Sequence, residues 1–209
     1  MKKFCRFALL FILLLFMPLN EASAQTGWAG KSVISPAFQY QYLPDNWKIN
    51  YYGLTTEFYF SERISVSGPV LIGWDRRDNF YLHMPFAGFV VLGVAAWLNT
   101  YNEDPWLTSD LLKLLIVENI HYNIRTAGKV ILSPFLSFLG ADLTGNEEDG
   151  DGNGLLSFGG GLQIKALVSE HFMLSSYASL KYYIIGDKTL FGSGNQFGIT
   201  IGFNLGYVF

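Results

Sequence analysis

The run Asn195–Phe209, NQFGITIGFNLGYVF, constrains this chain more than any other stretch. From Phe197 the odd positions are Phe197, Ile199, Ile201, Phe203, Leu205, Tyr207 and Phe209. The even positions are Gly198, Thr200, Gly202, Asn204, Gly206 and Val208. A strict period of two means a strand whose two faces meet different surroundings. In a soluble sheet the polar face would carry Lys, Glu or Arg. Glycine, threonine and asparagine suit a crowded interior better than open water. A strand of a soluble β-sandwich is the competing reading. Length separates the two: about 9–11 tilted residues cross the hydrocarbon layer of a bilayer, and the alternation here is longer.

The run ends on Phe209, with Ile201, Phe203, Leu205 and Tyr207 at alternating positions before it. In this it resembles the C-terminal assembly signal of bacterial outer-membrane β-barrel proteins. The resemblance covers about the last ten residues. It implies residence in the cell outer membrane, insertion by the outer-membrane assembly machinery, contact with outer-membrane lipid and a closed antiparallel barrel. It carries no information about activity.

Residues 1–24 read as a secretory signal peptide: Lys2, Lys3 and Arg6 precede the apolar run Phe7–Met17, Pro18 breaks it, and Ala22-Ser23-Ala24 offers a cleavage site. The apolar run is shorter than the roughly 20 residues of a membrane-spanning helix. Residues 25–209 then form one barrel domain. Cys5 falls in the leader, so the mature chain has no cysteine. It keeps 11 Lys plus Arg against 16 Asp plus Glu, a net charge of −5, which argues against nucleic acid as a partner. Charged residues make up 15% of the sequence and aromatics 17%. An ordinary soluble domain carries about 25% charged residues, and a surface poor in charge and rich in aromatics suits lipid.

The alternation recurs along the chain. Ile34, Phe38, Tyr40 and Tyr42 oppose Ser35, Ala37, Gln39 and Gln41. Tyr52, Leu54, Thr56, Phe58 and Phe60 are expected outside, with Tyr51, Gly53, Thr55, Glu57 and Tyr59 inside. Ile64–Trp74 is a third strand and Asn79–Val90 a fourth, although Pro85 removes a ladder donor there. His83 falls on the face with Tyr81 and Pro85, where a packed, hydrogen-bonded interior residue is the expectation and a ligand the alternative. Ala87–Leu98 is apolar on both faces and fits strand, helix or interior filling. Thr108–Val117 predicts a short helix, capped by Thr108 or Ser109, within an insertion at about residues 105–118. The alternation resumes at Ile120–Arg125, Lys129–Leu139, Leu155–Val168 and Phe172–Ile185, with a long acidic loop at Ala141–Gly154.

The expected fold class is therefore all-β, a transmembrane antiparallel up-and-down barrel. Four strands counted from the front and five from the back make nine, whereas such barrels have an even number. A crossing strand at Ala87–Leu98 gives ten; a short, non-spanning His121 segment gives eight, and eight is preferred. With the C-terminus in the periplasm, Ser61–Arg63, Thr126–Gly128 and Ser169–His171 become periplasmic turns.

Two constellations carry candidate chemistry. Asp149, Asp151 and Asn153, followed by Gly154, match the first half of a calcium loop. Gly160 stands where that loop needs a bidentate Glu, so a solvated acidic loop is the plainer reading and calcium the alternative. No other cofactor is expected. His121-Tyr122-Asn123 invites comparison with outer-membrane lipid A deacylases, which carry a nucleophilic Ser two residues after a His; here that position is Asn123. His121, Ser133 and Glu118 make a triad only if folding unites them. The function expected is that of a non-catalytic outer-membrane barrel in a structural, surface or small hydrophobic-ligand role. The alternative is a lipid-modifying enzyme using His121. Oligomeric state is not legible.

Overall fold

The computed structural model describes residues 27–44, 47–88, 90, 117–126, 129–145, 153–185 and 195–209. Strands follow in the order β1 (Ser32–Leu43), β2 (Trp47–Tyr59), β3 (Ile64–Asp75), β4 (Phe80–Pro85), β5 (Asn119–Tyr122), β6 (Ile124–Arg125), β7 (Val130–Gly145), β8 (Asn153–Leu167), β9 (Phe172–Ile185) and β10 (Gln196–Val208). The pairing runs β2-β1-β10-β9-β8-β7-β4-β3, and β3 pairs back to β2, so the sheet is closed. Every pairing is antiparallel.

The closed wall has eight staves, because β4, β5 and β6 share one. β3 pairs with β4 through Leu71–Trp74 and with β5 through Ile64–Ser67. β7 pairs with β4 through Gly140–Gly145, with β5 through Phe135–Ser137 and with β6 through Ile131–Leu132. The His121 segment is short and does not span by itself, as the eight-strand count expects, and it forms the lower half of the fourth stave. The odd strand count came from counting one stave twice.

Burial follows from this closure. In β10 buried and exposed residues alternate without a lapse, with Gly198, Thr200, Gly202 and Asn204 inside and Phe197, Ile199, Ile201 and Phe203 outside. The β1 and β2 faces fall as the sequence predicts, including Glu57 inward. Gly202 is needed for space rather than conformation: a Cβ there would stand 2.1 Å from the Tyr177 ring.

Three boundaries differ from expectation. The fourth strand stops at Pro85, and residues 86–88 and 90 are helical, because proline cannot donate to the ladder. Of the insertion expected at 105–118, only Val117 and Glu118 are described. Neither is helical, and Glu118 belongs to the wall: its N–H donates to Ser67 O at 2.9 Å and its carbonyl accepts from Phe138 N at 2.7 Å. β7 runs six residues past Leu139 and β8 opens at Asn153, so most of the loop expected at Ala141–Gly154 is strand and residues 146–152 lie outside the described residues. A bulge hides that continuation. Phe138 and Leu139 both point outward, the register shifts between Ser137 and Gly140, and the inward set passes from odd to even numbers. The leader expected at 1–24 and the helix expected at Thr108–Val117, apart from Val117, lie outside the described residues.

Candidate functional site in the barrel interior

An eight-stave barrel has an interior just wide enough to be filled by side chains. Here the filling is layered. At the end where β1 begins and β10 ends, Trp28, Val33, Tyr59, Met173 and Val208 form an apolar plug. At the other end Leu43, Ile49, Tyr51, Leu71, Tyr81, Leu155 and Tyr183 form a second. Between the plugs lies a polar layer, cut off from bulk water, whose members must satisfy one another.

That layer contains two ion networks. In the first, the His83 ring meets a carboxylate at each nitrogen: Nδ1 lies 2.9 Å from Asp142 Oδ1 and Nε2 3.0 Å from Glu118 Oε2. Glu118 Oε1 accepts from Lys181 Nζ at 2.6 Å and from Ser137 Oγ at 3.0 Å. Tyr51 OH donates to Asp142 Oδ1 at 2.7 Å. Carboxylates are acceptors only, so the ring donates from both nitrogens and carries a positive charge. Two cations then face two anions, and all four groups are buried.

In the second network Lys165 Nζ donates to Glu57 Oε1, to Asn123 Oδ1 at 2.9 Å and to Tyr59 OH at 3.2 Å. Ser65 Oγ donates to the same Glu57 oxygen, and Asn123 Nδ2 to Ser65 Oγ at 2.9 Å. Lys165 is fully buried and within reach of three acceptors, which is how an ammonium survives away from water.

His121 sits beside this second network. Its Nε2 lies 2.7 Å from Ser67 Oγ and its Nδ1 3.4 Å from Ser133 Oγ. The structure brings His121 and Ser133 together but sends Glu118 to His83 and Lys181, so the three do not form a triad. Ser67 was not singled out in the sequence; the pairing of Ser65 with His121 and Ser67 with Asn119 places it there, and only strand register reveals that. A cavity of about 30 Å³ lies between the networks, bordered by Glu57, Glu118, His121, Gln163, Tyr177 and Lys181 among others. That is room for about two waters. Gln39, Asn119, Gln163 and Asn204 also border it, and each has a buried amide atom without a protein partner.

Of the calcium-loop residues, Asp149 and Asp151 lie outside the described residues, and Asn153 opens β8 opposite Thr144. Among the described residues, no three His, Cys, Asp or Glu side chains are grouped to hold a metal.

Strand pairing, closure and an apolar outer face define an antiparallel up-and-down β-barrel of the transmembrane type. No family model matches the sequence, and no curated protein matches it. Solved structures similar to it include the N-terminal β-barrel domain of Pseudomonas aeruginosa OprF, at 12% identity over 88% of this chain and 100% of that one, TM-score 0.48. Neisserial surface protein A is similar at 8% identity over 85% of this chain and 94% of that one, TM-score 0.48. Ail, the attachment invasion locus protein of Yersinia pestis, is similar at 14% identity over 87% and 99%, TM-score 0.45. The likeness is one of fold, and the barrel assignment rests on the pairing above.

Proposed function

We propose that the chain is an integral protein of the bacterial outer membrane whose interior is closed and whose activity, structural or recognition-based, is exerted at its surface. One observation carries this: large apolar side chains stand exposed on every stave. They include Phe38 on β1, Leu54 on β2, Ile72 on β3, Phe80 and Ile120 on the fourth, Leu143 on β7, Ile164 on β8, Leu180 on β9 and Phe203 on β10. A soluble monomer rarely exposes an apolar patch beyond a few hundred Å², and a belt around the whole cylinder needs lipid. The alternating apolar run Phe197–Phe209 and the basic-then-apolar pattern read as a leader at 1–24 support the outer membrane as its address. On that reading the turns at Ser61–Arg63 and Ser169–His171 face the periplasm. With an apolar plug at each mouth, the barrel is expected to conduct no ions. The interior cavity, about 30 Å³, has room for about two waters and not for a lipid-sized ligand. Fractionation should recover the mature protein in outer membranes, migrating differently in gels before and after heating, and planar bilayers should show no channels. Recovery as a soluble periplasmic protein would refute the reading.

A lipid-modifying enzyme is favoured by one contact, Ser67 Oγ at 2.7 Å from His121 Nε2. Against it, a hydroxyl rather than a carboxylate stands at Nδ1, and acyl-chain pockets are about ten times larger than this cavity. Labelling of Ser67 by a fluorophosphonate, lost in His121→Ala, would establish the enzyme reading.

A further inference from the structure

The fourth stave is the weak place in the wall. The chain leaves it after Pro85 and returns at Glu118, so 32 residues (86–117) separate its halves. No register pair joins Gly68, Pro69 or Val70 of β3 to this stave, and none joins Phe138 or Leu139 of β7 to it. The backbone bonds of Glu118 are the first to resume the ladder. An open edge inside a membrane is costly, because its N–H and C=O groups have no water to turn to.

The first ion network lies across this interruption. His83 is the last inward residue but one of the upper half, and Glu118 is the first of the lower half. Their side chains meet at 3.0 Å on the inner face. Both ends are tied to β7, His83 through Asp142 and Glu118 through Ser137, and Glu118 is tied to Lys181 on β9 as well. Space has been left for the bridge, since a Cβ on Gly140 would stand 2.9 Å from the Glu118 carboxylate. The outer face is closed too. Val66, Met84, Tyr122 and Ala141 share faces with the exposed residues Ile120, Leu143 and Ile64, yet all four are buried. The second ion network links intact strands β2 and β8 and the lower half of the fourth stave, and it spans no break.

We propose that the His83–Glu118 bridge, anchored by Asp142 and Lys181, is a strap that closes the barrel wall where the fourth stave is interrupted. It replaces missing backbone bonds with side-chain bonds, so that a large excursion leaves mid-stave without opening the cylinder. This holds wherever the barrel resides.

Backbone hydrogen exchange of the full mature chain, folded in detergent micelles, tests it. His83→Phe keeps a ring and removes both bonds. The amides of Glu118 and Phe138 should then exchange at least about tenfold faster, while those along the β1–β10 seam stay as in the wild type. Lys165→Met, which breaks the other network, should not speed those two amides selectively. Unchanged protection of Glu118 and Phe138 in His83→Phe would overturn the proposal, as would an even loss of protection around the whole barrel. If His83→Phe does not fold, Glu118→Gln serves in its place. It retains every heavy-atom position but not the charge, and the same two amides should exchange about threefold faster; full protection in that variant would equally overturn the strap.

Discussion

β10 and the fourth stave solve the same problem by different means. β10 crosses the wall in one unbroken run of 13 residues, paired to β9 from Gln196 to Tyr207 and to β1 at Ile199–Asn204 and Tyr207–Val208. The fourth stave crosses in segments of 6, 4 and 2 residues and relies on buried charge to bridge the gap. In β10 specificity comes from the pleat, apolar outward and small inward, and from unbroken pairing to β9 between Gln196 and Tyr207. In the fourth stave it comes from side chains that tolerate no substitute, since a buried ion that loses its partner is strongly penalised. Regular strands therefore accept many sequences of the right pattern, whereas a broken stave depends on a few residues.

The most severe test of that contrast lies in the polar layer. Lys165→Met strands Glu57 in the interior and is expected to cost about 3–5 kcal/mol, read as a lower denaturant midpoint for refolding in lipid vesicles. Glu57→Leu combined with Lys165→Met removes both charges and should recover most of the loss. If the double variant is as unstable as the single one, the pair acts through packing, and the layer is not governed by charge pairing.

Next comes the lipid face of β10. Phe203→Arg should cost roughly 2–4 kcal/mol, the penalty for a cation near mid-membrane, while Asn204→Ser on the inner face should be mild. Leu205→Arg, nearer the chain-terminal end, should lie between them. Folding yield into vesicles measures all three. Equal yields for Phe203→Arg and Asn204→Ser would show that the outward face of β10 does not meet lipid.

A smaller effect is expected from Gly202→Val. The added side chain would collide with Tyr177, whose hydroxyl donates to Gln39 Oε1 at 2.7 Å, and overpacking of this kind costs about 1–3 kcal/mol. Thermal unfolding should show the loss, and Tyr177→Ser in the same chain should relieve part of it. No relief would mean that the strain lies in the backbone of β10.

Smallest of all is calcium. If Asp149, Asp151 and Asn153 bind it weakly, millimolar calcium should raise the melting temperature slightly by mass action, and Asp149→Ala with Asp151→Ala should abolish the rise. A wild-type protein indifferent to calcium would reduce the segment to a solvated loop.

The regular staves were legible because period-two alternation is a local property. Glu57 inward and Phe203 outward follow from counting alone. The fourth stave was not, for two physical reasons. Its halves belong to one stave only through pairing with β3 and β7, which is non-local. A one-residue bulge at Phe138–Leu139 also reverses the inward parity, so Asp142 and Thr144 read as loop although they point into the barrel. The burial of His83 was legible as well, but not its partners. His83, Glu118, Asp142 and Lys181 are spread over 99 positions (83–181) and share no motif, so their meeting is a product of closure.

The seam between β1 and β10 bears on how the chain reaches its fold. Val33 pairs with Val208, and Phe209 N donates to Ser32 O at 2.9 Å, so the last contacts to close join residues more than 170 positions apart. Contacts of such long range form slowly, because loop entropy is spent before they reward it. Until residues 196–208 arrive, β1 offers a free edge of the kind that recruits other strands. Removal of the final strand should therefore yield aggregate rather than a seven-stave barrel.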